Sequence, residues 1–235
     1  MIKRFYKEVS IEKDESSDAF KVLCDGKPLK NMKGNVILIP SETLAQEVAA
    51  EWQAQDEEII FATMPITNFV SMALGMDDDD RKRIKEDSMS FVSTDVLCYR
   101  ASFPANLVQK QKETWDPIID WLKDALEVEM AVAEGVLPCP QTLKTEEKIR
   151  EVLNELNDFQ LLGFVKIAAV CTSVSLGLAV VKNFITAEDA FERSRLEETY
   201  QNNQWGRDIE SLKARKLALA EATNAEKALK LSGYL

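Results

Sequence analysis

The first forty residues carry short, alternating apolar patterns. Phe5, Lys7, Val9 and Ile11 alternate with other residues, and Phe20 to Cys24 and Val36 to Ile39 form brief apolar runs, the signature of strands. Asp25-Gly26 sits between two such stretches, and glycine accepts the positive φ that a tight hairpin turn requires. The pattern between Lys3 and Pro40 predicts a small antiparallel sheet. At Pro40-Ser41 the period changes. Ser41 can cap a helix whose first turn holds Glu42. Leu44, Val48 and Trp52 then recur every fourth residue beside Ala45 and Ala49, giving one apolar face to lie across the sheet. A second short helix is expected from Ile66 to Leu74, with Phe69, Val70 and Ala73 turned inward and a left-handed Gly75 at its end.

Beyond Gly75 no further strand is expected, and six or so helical stretches run to Leu235. Asp77 to Asp80, followed by Arg81, Lys82 and Arg83, reads as a helix start whose acids meet the dipole and pair with the basic group. A calcium loop would need alternating ligands and a closing glutamate that this stretch lacks. Leu107 to Leu126 places Val108, Gln111, Trp115, Ile118, Leu122 and Leu126 on one face, with Asp116-Pro117 either a kink or a new helix start; Trp115 and Trp121 are expected in the core. Thr145 to Leu156 is amphipathic through Ile149, Val152, Leu153 and Leu156. Leu161 to Val181 is apolar for about a bilayer's thickness, but it contains Lys166, which would cost about 3 kcal/mol at a membrane centre. One buried core helix is the simpler expectation, its small residues Gly163, Ala168, Ala169, Ser173, Ser175 and Gly177 allowing close neighbours. The pattern therefore predicts an α+β protein: an N-terminal small antiparallel sheet covered by helices over residues 1–76, then an all-helical C-terminal domain over 77–235.

Composition narrows the function. The 235 residues include 46% hydrophobic positions, enough for a core without staples. Forty acidic against 29 basic residues leave a net charge of −11, so nucleic acid and anionic membranes are poor partners and a basic or apolar protein patch is a suitable one. There is no histidine, which removes imidazole-based nucleophile systems and histidine metal sites. Cys24, Cys98, Cys139 and Cys171 are widely spaced and suit buried, reduced thiols. No metal or cofactor is implied. Met1 to Val9 is charged and lacks an apolar run, so a signal peptide is not expected and the cytoplasm is the expected compartment.

Thr186 is positioned to cap a helix that would carry Ala187, Ala190, Phe191, Ser194, Glu198, Gln201 and Trp205 on one face. At roughly 100° per residue, Glu197 points off that face and cannot share a proton with Glu198. A stripe mixing apolar residues with Ser194, Glu198 and Gln201 is either a satisfied core network or a recognition surface. A carboxylate enzyme using Glu197 or Glu198 with Tyr200 and Arg195, and a general protein-binding scaffold, are the rival functions.

The wording SRLEETYQNNQWG at Ser194 to Gly206 resembles the ATP-twelve family, also called ATP synthase assembly factor two. RFYKEV (Arg4 to Val9), AAEWQAQ (Ala49 to Gln55), TMPITNF (Thr63 to Phe69), STDVLCYRA (Ser93 to Ala101) and WDPIIDW (Trp115 to Trp121) resemble family motifs in the same order. The chain departs from the family at Asn31-Met32, where Thr-Pro is common, and around Phe61. The resemblance implies an assembly chaperone, not an enzyme, that binds the free α subunit of the ATP synthase catalytic head and shields its β-facing surface until α and β join. It implies a monomer when free, in the cytoplasm for a bacterial member and in the mitochondrial matrix for eukaryotic relatives. It marks Glu198, and after it Glu197, as the essential acid, and Trp52 as a further position that matters to the family's function. Helix geometry puts Gln201, Trp205 and Ser194 on the face of Glu198, which makes them candidate partner-binding residues beside it, and Trp52 is read as structural or partner-supporting.

Overall fold

A computed structural model describes residues 2–31, 33–135, 137–206 and 209–235; Met32 and the side chain of Trp205 lie outside the described residues. Strands β2 (Val9–Lys13), β3 (Phe20–Cys24) and β4 (Lys27–Pro28) form an antiparallel sheet in that order, with Ile11 opposite Val22 and Cys24 opposite Lys27. Asp25 and Gly26 both take positive φ, 49° and 76°, as a primed hairpin turn demands. The Asp25 carboxylate also accepts the backbone N–H groups of Lys7 and Glu8 at 3.0 and 2.9 Å. The stretch around Phe5 accordingly leaves this sheet. β1 (Ile2–Lys3) pairs instead with β5 (Glu58–Ile59), and Phe5 stays 67% exposed. Val36 to Ile39 is joined by isolated bridges, Val36 to Lys30 just beyond β4 and Ile39 to Phe20 of β3, rather than as a full strand of this sheet.

Helix α1 (Glu42–Gln53) begins at Ser41, whose hydroxyl accepts the Leu44 N–H at 3.2 Å, and buries Leu44, Ala45, Val48 and Trp52 across β2 and β3. Helix α2 (Pro65–Ala73) has proline at its first position. Gly75 is not left-handed as expected. A Cβ there would lie 2.8 Å from the Ser71 carbonyl oxygen, so close approach rather than φ requires the glycine.

The remainder is predominantly helical: α3 (Asp78–Ser88), α4 (Ala105–Leu126), α5 (Leu143–Asn154), α6 (Asp158–Cys171), α7 (Val174–Val181), α8 (Ala187–Ser194), α9 (Leu196–Trp205) and α10 (Ile209–Ser232). Contrary to expectation the described residues here include two short strands, β6 (Tyr99–Arg100) and β7 (Ala133–Glu134), paired in parallel. Two residues are too few to show a period. Asp77 caps α3 in a capping box with Asp80, and Arg81 joins Asp78 and Asp158. Pro117 lies inside the continuous α4, whose Gln111, Trp115, Ile118 and Leu122 are buried, whereas Trp121 is half-buried and stacks on Phe184 at 4.7 Å.

The long apolar segment forms two helices rather than one. Thr172 turns left-handed at φ 50°, and Ser173 caps α7 by accepting the Leu176 N–H at 3.0 Å. Buried Asp95 fixes this break, accepting the Ser173 hydroxyl and the Ser175 N–H, each at 2.8 Å, and the Leu97 N–H at 3.0 Å. Burial pushes the Asp95 carboxyl above its ordinary range, against the lowering effect of these bonds. Gly177 and Gly163 let α7 and α10 approach α6: a Cβ at Gly177 would meet Ala168 and Phe164 at 3.0 Å, and one at Gly163 would meet Leu229 at 2.6 Å. Among the described residues no helix is long and apolar enough to cross a membrane. All four cysteines are free and buried.

Candidate functional site

Thr186 caps α8 by accepting the Asp189 N–H at 3.1 Å, and α8 buries Ala187, Ala190, Phe191 and Ser194. The helix then stops. Ser194 donates its hydroxyl back to the Phe191 carbonyl at 2.7 Å, and Arg195 departs to φ −102°, ψ 17° before α9 starts. The single face expected from Ala187 to Trp205 is therefore divided. Its α8 half is core, whereas in α9 the Glu198 side chain is 38% exposed and Gln201 is exposed.

The break turns Glu197 and Glu198 toward different neighbours. Glu198 lies between two guanidinium groups, Arg195 and Arg215, each 3.9 Å from one of its oxygens. Both arginines also sit over the Phe191 ring, 5.4 Å from its centroid, and are held from behind. Arg195 donates to the Val170 carbonyl at 2.9 Å; Arg215 donates to the Thr199 hydroxyl at 3.2 Å and pairs with Glu192. Glu198 is thus a partly exposed carboxylate flanked by two positioned cations of its own chain.

Glu197 instead accepts the side-chain amide of buried Gln111 at 2.5 Å, and Gln111 accepts the Ala101 N–H at 2.8 Å. Arg100 extends this network. It pairs with Asp116 at 2.7 Å, donates to the Leu97 carbonyl at 2.7 Å and lies over the Trp115 ring. Trp115 donates its indole N–H to the Arg193 carbonyl at 2.9 Å, so α4 and α8 are locked together. Tyr200 donates to Asn106 at 2.9 Å. Thus Glu197 works as a fastener between α9 and α4 while Glu198 remains at the surface. Arg195 carried a local signal, the spacing of three from Glu198. Arg215 arrives from α10 and Gln111 from α4, and no local pattern could have joined them to this site.

Trp52 lies elsewhere, on α1. Its carbonyl accepts the Tyr6 hydroxyl at 2.7 Å, and its ring packs against Tyr6 and Phe61 at 5.6 and 6.4 Å. It forms one wall of a cavity of about 840 Å³, shared with Phe5, Ile37, Phe61, Thr67 and Met72.

The family model described as "ATP12 chaperone protein" matches residues 3–123. A curated relative, "Protein atp12, mitochondrial" of Schizosaccharomyces pombe, is 29% identical over 194 residues, spanning 77% of this chain and 67% of that protein. The crystal structure of Atp12 from Paracoccus denitrificans superposes with a TM-score of 0.89 at 33% identity, covering 98% of both chains. A chaperone candidate from Agrobacterium tumefaciens aligns with a TM-score of 0.88 at 32% identity, covering 97% of this chain and 85% of that one.

Proposed function

Because this chain belongs to the ATP12 chaperone family, we propose that it is an assembly chaperone that binds the free α subunit of the ATP synthase catalytic head. It shields the β-facing surface of α until the α–β complex forms, acting as a cytoplasmic monomer without a cofactor. The observation that carries this reading is the agreement with Atp12 over 98% of both chains. A binding role rather than catalysis is supported by the carboxylates themselves, since Glu197 is engaged by Gln111 and Glu198 stands between Arg195 and Arg215. Glu198 is the proposed contact to the client, with Gln201 beside it on the exposed part of α9, Ser194 and Glu197 supporting the break that presents it, and Trp205 continuing the same helix. The site would then act through charge complementarity at a polar rim.

Pull-down of the organism's own α subunit from co-expressing cells tests the site. Wild type is expected to retain free α. Glu198→Lys places a third cation beside Arg195 and Arg215 and should weaken capture by about tenfold or more, with an unchanged circular dichroism spectrum. Equal capture of α by both proteins would remove Glu198 from the interface.

A further inference from the structure

The wall of the 840 Å³ cavity beside Trp52 is apolar, and its mouth is ringed by apolar side chains that the fold leaves in water: Phe5 is 67%, Met72 53% and Phe61 44% exposed. Three of the chain's largest exposed apolar groups thus converge on one concavity, which is how docking surfaces differ from scattered surface leucines. Burial in the wall pushes the Cys24 thiol up to about 11.

A further feature points to what fills it. The rim is basic in an acidic protein. Lys27 and Lys30 are exposed at the cavity and make no ion pair among the described residues, and Lys166 lies on the same wall, pairing with Glu221 at 3.2 Å. With a net charge of −11, most of the surface repels acidic partners, so this rim is a local exception that selects for them.

We propose that this cavity receives an extended segment of the client polypeptide that carries a bulky apolar side chain flanked by acidic residues. The inference rests on the reading that the chain binds an unassembled subunit. The apolar side chain enters between Trp52, Phe61 and Met72, and the flanking carboxylates meet Lys27 and Lys30. Such a site is separate from Glu198 and gives the chaperone a second hold on its client.

The test uses a fluorescent dodecapeptide with a Phe-Leu-Leu centre between glutamate pairs, and a twin with lysines in place of the glutamates, read by anisotropy. Two variants are compared with wild type: Met72→Glu and the double variant Lys27→Glu with Lys30→Glu. Wild type should bind the acidic peptide about tenfold more tightly than its twin. Met72→Glu and the lysine double variant should lose that binding and also capture less α subunit, with circular dichroism unchanged. Binding that ignores peptide charge, no binding of the acidic peptide by wild type, or undiminished capture of α by the variants would overturn the cavity assignment, and capture of α by wild type would then leave the proposed function standing. Failure of wild type to capture α would instead overturn the proposed function, and the peptide measurements would decide the cavity by themselves.

Discussion

Glu198 is defined by its neighbours more than by its own charge. Arg195 reaches it from within the same turn and Arg215 from α10, and both flank Phe191. Glu197, adjacent in sequence, is drawn to Gln111 and helps to hold α9 on α4. Adjacent acids on a helix diverge by about 100°, and here that divergence separates a carboxylate flanked by arginines, the proposed client contact, from a structural fastener. Small residues are equally specific. Gly177 faces Phe164 and Ala168 with no room for a side chain, so Gly177→Val should destabilise the protein by about 1–3 kcal/mol through overpacking. A shift of that size in the urea midpoint with an unchanged slope is expected; an unchanged midpoint would mean that α6 and α7 can separate without cost.

At the scale of elements, the breaks matter more than the helices. The α6–α7 break depends on Asp95, a buried carboxylate that accepts two backbone N–H groups and one hydroxyl. Asp95→Ala would leave those donors unpaired, a net loss of about 2–4 kcal/mol; urea unfolding should show it, and a loss below about 0.5 kcal/mol would contradict the role given to Asp95. Sequence periodicity revealed most helices, the Asp25-Gly26 turn, and the caps at Ser41 and Thr186, because each is a local pattern with a local cause. It joined α6 to α7 and α8 to α9, because Asp95 and the contacts around Arg195 come from distant parts of the chain. Likewise Phe5 alternates like a strand residue, yet Asp25 captures the backbone at Lys7 and Glu8 and leaves the ring outside the sheet. The acids of the candidate site were visible from the sequence, but their arginine partners were only half visible.

For the whole molecule, we keep the division into residues 1–76 and 77–235 as a proposal, with the boundary in the connection between α2 and α3. Across it, the Leu231 carbonyl near the end of α10 accepts hydrogen bonds from Ser41 and Thr43, and Lys227 pairs with Glu47 on α1. Two candidate contact regions, the charged one at Glu198 and the apolar one at Trp52, are therefore carried on parts of the chain that α10 fastens together. Two such regions would suit the proposed holding of α and its release to β. The most direct measurement of that claim is native mass spectrometry of the purified chaperone–α complex during titration with β subunit. The account predicts a one-to-one chaperone–α species that disappears as α–β forms, with the chaperone released free. A stable chaperone–α–β species, or a chaperone that never associates with α, would contradict it.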